Sequence, residues 1–135
     1  MKRPKWLTLA MVTAIHDELI YEFGGLAGVR DAGLLESALD RPRNIFAHQP
    51  KSSLFKRAAA LCIGIAKNHP FNDGNKRTGL LVARAFLFLN RYTLEPREDD
   101  EVMALVAVAD GSLDEEQLAD WLKRNASRSA RDSDG

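Results

Sequence analysis

The sequence holds a single cysteine, Cys62, so no disulfide can form within it. Its neighbours are apolar, and a buried thiol in a reducing compartment is the plain expectation. Nowhere does an unbroken apolar run approach the ~20 residues of a membrane-spanning helix. The start carries Lys2, Arg3 and Lys5 without the apolar stretch of a signal peptide, so a cytoplasmic protein with no membrane partner is expected. Charge of neither sign dominates: 19 basic and 19 acidic residues cancel. That balance removes the broad electrostatic reason for binding nucleic acid directly. Three scattered histidines and one cysteine do not compose a zinc site.

What is present points to one helical domain. A chain of 135 residues can bury about two-thirds of its unfolded surface and needs no metal or disulfide to do so. Leu9, Val12, His16, Leu19 and Phe23 fall on one stripe at steps of three and four, and Gly24-Gly25 ends it. Asp31 can cap a short helix bearing Leu34, Leu35, Ala38 and Leu39, with Pro42 as its stop. Arg43 to Ser53 shows no period and is expected as a loop, although Ile45 and Phe46 are apolar. Ser53 opens a helix to about Asn68, and a second runs from about Gly74 to Arg91. The latter is apolar on nearly every side, which suits the centre of a bundle. Asp99 to Ala109 reads as a further helix. Ser112 and Glu115 have capping-box spacing for the last, ending near Asn125. The expectation is an all-α bundle of about six helices over residues 1–125, followed by a disordered tail over 126–135.

Charge is uneven along the chain. Basic residues dominate from Arg41 to Arg57, and acidic ones from Glu95 to Asp120. If the basic part lies near His69, it would draw a polyanion such as a nucleotide.

Between the two long helices stands HPFNDGNKRTG, from His69 to Gly79. A helix starting near Gly74 aims free N–H groups and the positive end of its dipole at whatever precedes it. Gly74 lets a ligand approach the backbone, which makes a ready anion site. Lys76 and Arg77 can reach phosphate oxygens, Arg77 bidentately. Asp73 is out of place beside an anion unless a divalent cation such as Mg²⁺ bridges it to phosphates. His69 can take a proton from an attacking hydroxyl. The inventory suits phosphoryl or nucleotidyl transfer. The plainer alternative is that Asn72 or Asp73 merely caps the helix, Phe71 anchors the core, and Lys76 and Arg77 are solvated. It is not a Walker A loop, because Gly74 is followed by asparagine.

The string HPFNDGNKR resembles the Fic/Doc signature, His-Pro-Phe-x-x-Gly-Asn-x-Arg. Upstream, IHDELIYEFGGLAGVRDAGLLESALDRP is similar to the first part of death-on-curing toxins, and the resemblance runs from about Leu7 to Leu122. It implies a compact helical domain with the signature on a loop and the start of a central helix. It assigns His69 as general base, Asp73 to Mg²⁺, Gly74 and Asn75 to the anion nest, and Arg77 to the phosphates. Most adenylyl-transferring members have glycine where this chain has Lys76. The lysine form resembles the death-on-curing branch, in which ATP is held reversed and its γ-phosphate passes to a threonine of elongation factor Tu, stopping translation. A lysine there fills space a phosphate would occupy, so the triphosphate must settle differently. Gly74 matches the broader Fic consensus, so Lys76 carries most of the distinction. Adenylyl transfer, or a catalytically silent module that binds an antitoxin and tunes its DNA binding, are the alternatives.

The family's target-docking flap lies before the signature helix, and on that basis Ile45 and Phe46 are candidates to touch a target, with packing an equal alternative. His16 reads as a satisfied, partly buried histidine. Family members often carry an inhibitory Ser/Thr-x-x-x-Glu-Gly/Asn helix. The nearest string here, SLDEEQ at Ser112–Gln117, ends in glutamine and also reads as a capping box. No built-in inhibitor is expected. Restraint would come from a separate antitoxin whose segment folds on the toxin.

Overall fold

The computed structural model describes residues 3–129. Among them run α1 (Leu9–Phe23), α2 (Ala32–His48), α3 (Leu54–Asn68), α4 (Asn75–Leu89), β1 (Tyr92–Leu94), α5 (Glu98–Asp110), α6 (Glu115–Arg124) and β2 (Ala126–Arg128). The expected all-α bundle of six helices is therefore observed, with one short ladder added.

α3 is the enclosed helix, more so than α4. Every residue from Arg57 to Ala66 is buried, whereas Phe88 of α4 is 46% exposed. The physical reason is size. Ala58, Ala59, Ala60 and Gly64 let neighbouring helices come close on several sides, while α4's larger side chains hold them off. The tightest approach is at Gly79, where an added Cβ would stand 2.7 Å from the carbonyl oxygen of Cys62. Only glycine fits there without the α3–α4 pair moving apart.

Pro42 does not stop α2, which continues to His48. Proline inside a helix costs about 3 kcal/mol, so packing must offset it. Pro42 is itself buried. Beyond it Phe46 meets the Trp6 ring edge-on at 5.9 Å and carries the Arg57 guanidinium over its face at 5.0 Å. The expected loop from Arg43 to Ser53 shrinks to the turn between His48 and Leu54. Ile45 and Phe46 are half-buried helix residues, and the contacts of Phe46 lie within the fold.

Two further expectations need correction. α6 is capped by Asp114 with Gln117 in a capping box, not by Ser112 with Glu115. Both pairs have the required spacing, but Ser112 follows Gly111, the left-handed C-cap of α5. The tail does not begin at 126 either: Ala126, Ser127 and Arg128 pair antiparallel with Leu94, Thr93 and Tyr92. Ser129 extends the tie, its N–H donating to Arg91 O at 2.9 Å. The rest of the expected tail lies outside the described residues.

Candidate active site

The His69–Gly74 segment turns the chain from α3 into α4. His69 ends α3 in the left-handed region at φ 53°, ψ 56°, a conformation that a side chain with a Cβ adopts at some cost. Gly74 opens α4 at φ 72°. A Cβ there would come within 3.2 Å of Leu19 Cδ2, so both the dihedral and the space call for glycine. No side chain caps this helix among the described residues, which removes the plainer reading of Asn72 or Asp73 as a cap. The first α4 amide to find a carbonyl is that of Thr78, bonded to Gly74 O at 2.9 Å. The N–H groups of Asn75, Lys76 and Arg77 are left for something else.

Contacts from α1, α4 and the α1–α2 connection hold this turn in place. Asn75, buried, clasps the loop with both ends of its amide: Phe71 N–H donates to Oδ1 at 2.9 Å and Nδ2 donates to Phe71 O at 3.0 Å. Phe71 is buried and stacks on His16 with ring centroids 3.9 Å apart. His16 Nε2 lies 2.8 Å from Asp73 O. A carbonyl can only accept, so this nitrogen carries the proton. The α1–α2 connection supplies further supports. Leu26 N–H donates to Asp73 Oδ2 at 2.8 Å. Arg30 donates through Nε to His69 O at 2.7 Å and through Nη2 to Asn68 O at 3.0 Å.

The turn forms one wall of a cleft of about 650 Å³, within the range of small-molecule and cofactor sites. His69, Asp73, Gly74, Lys76 and Arg77 line the polar wall, and Val102, Leu105, Val106 and Ala109 of α5 the opposite one. An apolar wall facing a phosphate-ready helix terminus is what a nucleotide requires: a surface for the base and donors for the phosphates. Asp110 closes the far side, and hydrogen bonds from Ser112, its side chain first and then its amide, hold that carboxyl below its ordinary value. Asp73 has one oxygen engaged by Leu26, and no group of three or more acidic, histidine or cysteine residues capable of holding a metal occurs among the described residues. A single carboxylate fits Mg²⁺, which is commonly held by one or two carboxylates together with substrate phosphates.

The structure thus brings His69, Asp73, Gly74, Asn75, Lys76 and Arg77 to one cleft. Asn75 enters it by its backbone, since its side chain is spent on the loop. Arg77 lies over the Phe23 ring at 4.8 Å. Ile45 and Phe46 stand near the far end of α2, about 20 Å along the helix from its start beside His69. The basic stretch is not at the cleft either, because Arg57 belongs to the other end of α3. Arg30 escaped notice in the sequence: it contacts residues 38 and 39 positions away, and no local pattern announces such a contact.

Similarity agrees with this geometry. The Fic/DOC family profile matches residues 6–87. Protein kinase doc of Escherichia phage P1 is 36% identical over 112 residues, covering 82% of this chain and 87% of that protein. Toxin Doc of Mycolicibacterium smegmatis is 39% identical over 97 residues, covering 68% of this chain and 75% of that protein. With more than half of its length matched and the signature set at the head of a buried helix, the chain belongs to the Fic/DOC family.

Proposed function

We propose that this protein is the toxin of a toxin–antitoxin pair, transferring the γ-phosphate of ATP to a threonine hydroxyl of a translation factor, elongation factor Tu. One observation carries the reading: a histidine, a half-engaged carboxylate and the uncapped start of α4 share a cleft with an apolar far wall. The names of the two relatives, a protein kinase and a toxin, support the same class.

In this scheme the base of ATP rests on Val102, Val106 and Ala109, and its phosphates meet the free N–H groups of Asn75, Lys76 and Arg77. Asp73 would hold Mg²⁺, which would neutralise phosphate charge. His69, exposed at the mouth of the cleft, takes the proton of the target hydroxyl as that oxygen bonds to phosphorus and ADP leaves. Arg77 leaves Phe23 to hold the transferring phosphoryl group.

The antitoxin fits a groove between α1, α4 and α5 of about 540 Å³. Its floor is Leu19, Leu80 and Leu105, and its rim carries Glu18, Glu22 and Glu98. An acidic rim around an apolar floor suits a basic amphipathic segment that folds on docking. Because Phe23 and Arg77 line this groove as well, its occupant reaches the phosphate site.

The test uses purified chain, Mg²⁺, elongation factor Tu and ATP labelled at the α or γ phosphorus. Label from γ alone supports the kinase. Label from α makes the chain an adenylyltransferase, a reading that Gly74 and Asn75 fit equally well. No label from either, with folded protein, favours a silent antitoxin-binding module.

A further inference from the structure

One cation of the basic stretch, Arg57, lines a cleft away from the His69 turn. No acidic residue occurs between Asp40 and Asp73, an interval that contains Arg41, Arg43, Lys51, Lys56, Arg57 and Lys67. Leu54 at the start of α3 and Leu89 at the end of α4 line one cleft of about 480 Å³. It lies about 20 Å along these helices from the His69 turn. Arg3, Lys5, Arg57 and Arg91 also line it, and no carboxylate does among the described residues.

The cleft is built, not a chance meeting of surface cations. The chain before α1 is pinned over the end of α4 by a reciprocal clasp: Lys5 N–H donates to Asn90 Oδ1 at 2.8 Å, and Asn90 Nδ2 donates to Lys5 O at 2.9 Å. Arg57 is 94% buried, being 6% exposed. Its Nε and Nη2 donate to the carbonyls of Ser53 and Ser52 at 3.3 and 3.1 Å. Nη1, shielded from water, has no acceptor. Both acceptors are neutral, and no ion pair of Arg57 with a carboxylate occurs among the described residues. A buried guanidinium in that state is costly. Bracing the first turn of α3 and resting on Phe46 explain two of its nitrogens and its face. They do not explain an orphaned nitrogen in a basic cleft at the positive end of a helix.

We propose that this cleft is a second anion site, separate from the nucleotide cleft, that binds a phosphate group between Lys5 and Arg57, with Arg3 beside them. Phosphate oxygens supply acceptors and negative charge to Arg3, Lys5 and Arg57, and a small turn of the guanidinium brings the shielded Nη1 to them. The chemistry is shared by two sources, a free polyphosphate and the phosphodiester backbone of a nucleic acid. The site does not depend on the catalytic reading above.

The test is amide-resolved NMR on the full chain, titrated first with inorganic pyrophosphate and then with a short single-stranded oligonucleotide. Saturable shifts at Leu54, Arg57, Asn90 and Arg91 are expected. The exposed substitutions Arg3→Gln and Lys5→Gln, which spare the buried Arg57, are each expected to weaken that binding by about tenfold, the worth of one charge-assisted hydrogen bond. Pyrophosphate also meets the start of α4, and shifts at Gly74–Arg77 report that binding separately. An oligonucleotide that saturates the same amides at lower concentration identifies nucleic acid as the source, and one that binds no better identifies the free polyphosphate. Shifts confined to Gly74–Arg77, or binding unchanged by both substitutions, would overturn the proposal.

Discussion

Arg30 holds His69 by its backbone. One guanidinium binds the His69 and Asn68 carbonyls at 2.7 and 3.0 Å, closing the end of α3 and fixing the residue that turns away from it. A cation at a helix C-terminus is also well placed against the dipole. Arg30 lies outside the lining of the cleft, so in the proposed reaction it would act only through the Asn68 and His69 backbone it holds. Arg30→Ala is expected to lower kcat while leaving KM for ATP nearly unchanged, and to cost about 1–3 kcal/mol of stability for the lost charged hydrogen bonds. Arg30→Lys should regain part of the stability but less of the rate, since one ammonium cannot copy a two-nitrogen fork. Equal losses in kcat and KM would show that Arg30 shapes the phosphate site instead.

In the proposed reaction His69 would trade stability for chemistry. At φ 53° its conformation is one that glycine accepts freely. His69→Gly is therefore expected to raise stability by about 1 kcal/mol while removing the base, with a rate loss of about two to four decades. His69→Ala should lose the same activity without the gain in stability. Denaturant midpoints beside γ-label transfer separate the two effects. Near-full activity in either variant would remove His69 from the mechanism.

Lys76 stands in the first turn of α4, exposed at the cleft. In the proposed reaction its ammonium would occupy space and add charge where a phosphate would otherwise settle. Lys76→Gly is expected to shift transfer from the γ toward the α phosphorus of ATP, read by the two labels in parallel. If the variant still transfers γ alone, the orientation of ATP is set by other residues in the cleft.

Most of the fold was legible because helical periodicity and caps are local. Asp31 and Ser53 each accept an N–H from the first turn of their helices, and the stripe from Leu9 to Phe23 spans the observed α1 in full. The misreadings fall where distant packing outweighs local preference. Pro42 sits inside a helix because of what Phe46 touches, and Ala126–Arg128 forms a strand because β1 lies beside it. The site was legible as chemistry but not as architecture. His69, Asp73 and Arg77 lie within one short stretch of sequence, whereas the groups that position that stretch come from Leu26, Arg30 and His16, reachable only through the fold. The use of the Asn75 side chain as a loop clasp was equally hidden, since an asparagine before a helix suits several roles.

Cys62 offers a way to follow the α3–α4 contact without any assay of activity. Burial pushes its thiol from 9.0 up to about 12, so the folded chain keeps it neutral where the unfolded chain ionises it. The sign follows from linkage: a group whose pKa is raised by folding contributes its full stability below the unfolded value and loses it as pH climbs toward the folded one. Between pH 9 and 12 the wild type should therefore lose up to about 4 kcal/mol from this group. Cys62→Ala removes the titration and substitutes a cavity cost that does not vary with pH. The stability gap between wild type and Cys62→Ala is thus expected to narrow as pH rises above 9, and iodoacetamide should label the thiol only after denaturation. A gap that stays constant to pH 11, or rapid labelling of the native chain at pH 8, would mean that water reaches Cys62 and that α3 and α4 are not closed over it.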